Sequence, residues 1–105
     1  MNYAVDRSKW QSLSIFEQMG NIGSEVGRSF KYLRAGDNQA ADAALARAID
    51  LFDATETILL KQNPARAREV LRAKEEYLRS FHERKGLRSL ENYFNQFAIA
   101  ARLNR

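Results

Sequence analysis

Cysteine is absent from this chain of 105 residues, which excludes disulfide staples and thiolate metal sites and leaves the redox compartment open. Histidine occurs once, at His82. Carboxylate-bridged metal centres in helical proteins use inward glutamates and Glu-x-x-His pairs, which set two ligands one turn apart. Arg79 stands three residues before His82, so neither a metal nor a cofactor is expected. His82 itself reads as a surface residue near a helix end. Proline also occurs once and glycine only five times. With no alternating run rich in Val, Ile or Thr, strands are not expected. No apolar run approaches the roughly 20 residues that span a bilayer, and MNYAVDRSKWQ lacks the apolar core of a signal peptide. A cytoplasmic protein that meets no membrane is the expectation. No Ser-His-acid spacing is recognisable, and the glycines of GNIGSEVG follow no strand, so they do not form a dinucleotide-binding turn. No catalytic residue is assigned, and a non-enzymatic role is expected.

What is present suits one helical domain spanning 1–105. A chain of this length buries roughly 65% of its unfolded surface, and 45% hydrophobic with 29% charged residues is ordinary globular composition. The net charge of +4 is unevenly spread. Residues 35–62 hold five acids (Asp37, Asp42, Asp50, Asp53, Glu56) against two bases (Arg47, Lys61), between basic neighbours. That pattern fits segments packed side by side at least as well as it fits a nucleic-acid surface.

The breakers divide the chain into four helices, hence an all-α, antiparallel up-down-up-down four-helix bundle. Residues 1–8 read as a flexible arm, with Asp6 or Ser8 able to cap the first helix. That helix runs from about Lys9 to Arg34, with an apolar stripe of Ile15, Met19, Ile22, Val26, Phe30 and Leu33. Trp10 and Leu13 lie off the stripe and are assigned to a bundle end or a partner surface. The second helix starts at the N-cap Asp37 and runs to about Gln62; its apolar face is wide enough to touch two neighbours. Asn63-Pro64 marks the third helix, as an N-cap followed by proline at the first helical position. This helix reaches about Lys85, with Gly86 as a left-handed cap. Ser89 is expected to cap the fourth.

Three groups of residues stand out. Gly20, Gly23 and Gly27 line one edge of the first helix, and each costs roughly 1 kcal/mol relative to alanine. Close helix packing is the expected compensation, against the alanines of the second helix. A polar strip of Glu17, Asn21, Ser24, Glu25 and Arg28 forms the candidate ligand-binding face. Its competing reading is a solvated face with local ion pairs worth a few tenths of a kcal/mol. Arg68, Arg72 and Arg79 make a basic ridge on the third helix, interleaved with Glu69, Glu75, Glu76 and Glu83. The acids weaken the field a polyanion would feel, and no aromatic residues alternate with the bases to stack on nucleotides. Nucleic-acid binding is therefore not favoured. Lys74 falls inside the apolar stripe of the third helix. It is expected to snorkel or to pair with an acid such as Glu56 or Glu25.

EQMGNIGSEVGR in the first helix, RAIDLFDAT in the second and YFNQFAIAAR in the fourth resemble a family of small helical-bundle proteins from bacteria and archaea. The resemblance covers most of the chain; it implies the bundle and carries over no catalytic residue. A second resemblance is to HEPN-type helical proteins associated with nucleotidyltransferases, which are dimerising four-helix bundles. It implies an accessory or antitoxin-type subunit. Ribonucleases of that type carry Arg-x(4–6)-His; here Arg79-x-x-His82 is too short, which argues against RNA cleavage. The functional expectation is an interaction protein that self-associates as a dimer and meets another macromolecule, because a bundle this small cannot easily bury all its apolar surface.

Overall fold

A computed structural model describes residues 6–103, and among them every regular element is helical. There are five helices: α1 (Arg7–Ser12), α2 (Ile15–Arg34), α3 (Asn38–Gln62), α4 (Pro64–Glu83) and α5 (Leu87–Leu103).

The expected first helix is therefore two. It breaks at Leu13 and Ser14, whose backbones are extended. No glycine or proline marks this point; a capping box makes the break. Ser14 Oγ accepts from the Glu17 N–H at 3.1 Å, and Glu17 Oε1 accepts from the Ser14 N–H at 3.0 Å. Two orphan donors at the start of α2 are thereby satisfied. Asp6 caps α1, accepting from the N–H groups of Ser8 and Lys9, so the helix begins within the stretch read as an arm. Residues 1–5 lie outside the described residues.

Asp37 and Asn63 cap α3 and α4 as their side-chain chemistry dictates, accepting from Ala40 N–H and Arg66 N–H. The later boundaries shift. Arg84, not Gly86, takes the left-handed position that ends α4, at φ 59°, although Gly86 also has positive φ, at 71°. Helix α5 then begins at Leu87, which puts Ser89 inside its first turn rather than at its cap.

Helix α2 packs against α3 and α5, α3 packs against α4, and α4 touches α5 only lightly. An aromatic spine runs through the centre: Tyr77 lies 5.5 Å from Phe30 and 6.0 Å from Phe52, whose ring meets Phe94 edge-on at 5.9 Å. Tyr77 is fully buried, so its hydroxyl needs a partner. It donates to Ser29 Oγ at 2.8 Å, and Ser29 donates on to the Val26 carbonyl at 2.7 Å.

Trp10 belongs to this core, at 6% exposure, and offers no surface to a partner. The short α1 folds it back over α3. The glycine edge is also differently engaged. A Cβ at Gly20 would meet Ala98 Cα at 3.4 Å, and one at Gly23 would meet Phe94 Cβ at 2.6 Å. The helix brought close is thus α5, not the alanine-bearing α3. At Gly27 a Cβ would meet nothing within 4 Å, so no close contact explains that glycine.

Candidate functional site

The polar strip of α2 is divided between two neighbours. Glu17, Asn21 and Ser24 face α5, where with Gly20, Ala98, Ala101 and Arg102 they line an open depression of about 260 Å³. The close approach at Gly20 makes the floor of this depression backbone and small side chains. Within it, Glu17 is tied to the Ser14 backbone and Ser24 donates to the Gly20 carbonyl at 3.3 Å.

Glu25 and Arg28 lie outside that depression. Glu25 is turned toward α3, half-buried, with Arg47 Nε at 3.0 Å and Arg28 at 2.7 Å. Arg47 lies on α3 and Arg28 on α2, so this carboxylate straps the two helices together. Sequence spacing could not reveal Arg47 as its partner, because that contact exists only once α2 and α3 are paired.

A comparable polar contact crosses each seam between the four long helices. Glu25–Arg47 joins α2 to α3, and Lys74 Nζ–Asp53 Oδ1 joins α4 to α3 at 2.7 Å. Tyr93 donates to Glu69 Oε1 at 3.2 Å between α5 and α4, and Arg34–Glu91 joins α2 to α5 at 2.6 Å. Lys74 thus pairs with Asp53, not with Glu56 or Glu25.

Glu56 stands beside that pair with one carboxylate oxygen buried and without a hydrogen-bond partner. Burial raises its pKa above the ordinary carboxylate value, against the pull of the Lys74 ammonium and with help from Asp53. Sequence reasoning considered Glu56 only as a partner for Lys74. The signal for a coupled pair of acids was the one-turn spacing of Asp53 and Glu56.

The thinnest seam leaves a groove. Between α4 and α5 lies a depression of about 210 Å³ lined by Glu69, Arg72, Ala73, Glu76, Leu90 and Tyr93. Its floor is carbon and its rim is charged. Tyr93 forms one wall, packed edge-on against Phe94 and Phe97 at 5.2 and 5.3 Å. Burial, and then the Glu69 carboxylate, push its phenol up to about 12.

Of the basic ridge, Arg68 and Arg72 share a shallow patch of about 200 Å³ with the exposed Leu71 and with Glu75. Arg79 is engaged separately with Glu76 at 3.2 Å. The ridge is therefore a surface of both signs. His82 is exposed and stacks edge-on against Phe81 at 5.7 Å. No group of three or more metal-ligating side chains gathers among the described residues, and none of their helices is long and apolar enough to cross a membrane.

Comparison with family models, with curated proteins and with solved structures gives no match.

Proposed function

We propose that the chain is a non-enzymatic helical interaction module of the cytoplasm, which pairs with a second copy of itself and presents the pair to another macromolecule. In this reading the four long helices alternate up and down, as the short connections at 35–37, 63 and 84–86 favour. The small α1 closes one end.

The observation that carries the reading is the apolar surface left uncovered. Leu60, Leu71, Ile99 and Leu103 are 64%, 45%, 48% and 79% exposed, and the carbon-floored groove between α4 and α5 adds to them. Scattered single leucines are normal on a surface. A groove whose two walls are barely packed on each other is a stronger pointer, since filling it would complete the core's last seam.

Light scattering on a size-exclusion column tests the reading. Twice the 12.1 kDa chain mass at micromolar concentration is expected. A strict monomer across that range would overturn it.

A further inference from the structure

Arg66, Glu69, Arg72, Glu76 and Arg79 follow one another along α4, alternating in sign at three- and four-residue steps. Such steps keep side chains on one side of a helix, and three of the five line the groove toward α5. The end bases are already engaged, Arg66 with Glu69 at 3.5 Å and Arg79 with Glu76 at 3.2 Å. Arg72, in the middle, makes no ion pair among the described residues.

We propose that α4 is the self-association surface, packed antiparallel on α4 of a second copy about a two-fold axis level with Lys74; this rests on the self-association reading above. A two-fold contact requires a surface that complements its own reversal. With the axis there, Arg72 of each protomer faces the partner's Glu76, and Glu69 faces the partner's Arg79. A uniformly basic ridge would repel its copy; this alternating stripe attracts it. Ala73 and Leu90, buried at 7% and 9% exposure, floor the groove beside the axis, and the Tyr93 walls of both grooves are covered together. A helix of 20 residues is about 30 Å long, enough to build the ~800 Å² per partner of a specific interface. The charges set orientation and exclude other pairings more than they supply affinity.

Charge reversal decides the matter. Arg72→Glu and Glu76→Arg are exposed substitutions expected to keep the helical circular dichroism while each weakens dimerisation at least about tenfold by sedimentation. Arg72→Glu combined with Glu76→Arg restores the facing pair and is expected to recover the dimer. Glu69→Arg with Arg79→Glu provides a second, independent pair for the same comparison. A wild-type dimer indifferent to both single changes would overturn this surface and leave self-association standing. Loss in the singles without recovery in the double would overturn the antiparallel register. A wild-type monomer would remove both readings.

Discussion

The Trp10 indole N–H donates to Thr55 Oγ1 at 2.8 Å, and that hydroxyl donates in turn to Gln18 Oε1 at 2.9 Å. The Gln18 amide closes the circuit, donating to the carbonyls of Trp10 and Leu13 at 3.1 Å each. All three side chains are buried, at 6%, 0% and 3% exposure. One polar circuit therefore caps the end of α1, fixes the break before α2 and pins both to α3.

Thr55→Val tests this circuit. The methyl keeps the shape but strands the indole N–H and the Gln18 carbonyl oxygen away from water. An unsatisfied buried group costs about 1–3 kcal/mol. Urea denaturation is expected to show a loss of about 2 kcal/mol, within the range for stranding buried polar groups. A change near zero would mean that α1 swings away and solvates these groups.

The three glycines of α2 separate packing from propensity. Adding a methyl at Gly23 drives it into Phe94, so Gly23→Ala is expected to lose about 1–3 kcal/mol by overpacking. At Gly27 the methyl meets open space, and Gly27→Ala is expected to gain up to about 1 kcal/mol from helix propensity. Gly20→Ala falls between them, because its 3.4 Å approach to Ala98 offsets the same gain. Thermal unfolding of the three variants, each kcal/mol moving Tm by roughly 4–8 °C, gives the order. A stable Gly23→Ala would refute the close α2–α5 approach.

Helix boundaries were legible wherever one residue's chemistry decided them. Asp37 and Asn63-Pro64 satisfy orphan N–H groups by local hydrogen bonds, and no tertiary contact is needed to see it. The break at Ser14 was equally local, since Ser14 and Glu17 have capping-box spacing. It was hidden because no glycine or proline interrupts residues 7–19, so the two helices read as one. The neighbours of each face were not legible. The glycine edge announced a close helix, but its identity as α5 depends on which way α3 turns after Asp37. The polar strip was visible as a strip. Its division, with Glu25 toward Arg47 and Glu17 and Asn21 toward Arg102, follows only from having helices on both sides.

Glu56 predicts a pH dependence. Its folded pKa is raised by burial above the ordinary value of 4.5, so the native state holds this proton more tightly than the unfolded chain. The stability it contributes is full below about 4.5 and is lost as pH rises through the folded value. At neutral pH the wild type therefore carries a penalty that Glu56→Gln lacks. The variant is expected to be the more stable protein at pH 7, with the difference shrinking toward pH 4. A pH-independent difference would show that Glu56 is already fully solvated.

Tyr77 and Tyr93 make the opposite end of the pH range informative. Both phenols are pushed up to about 12, chiefly by burial; the Ser29 hydrogen bond opposes this at Tyr77, and the Glu69 carboxylate adds to it at Tyr93. A raised folded value means that their stabilisation is complete below the ordinary 10 and is lost as pH climbs toward 12. Ultraviolet titration is expected to show a late ionising component that shrinks in Tyr77→Phe and again in Tyr93→Phe. Glu69→Gln separates the two sites, because it removes the negative charge beside Tyr93 and leaves Tyr77 untouched. In that variant the Tyr93 phenol should ionise earlier while Tyr77 keeps its late step. Equal shifts in both tyrosines would point to a general loosening of the fold, and no shift in either would dissolve the Tyr93–Glu69 strap across the α4–α5 seam.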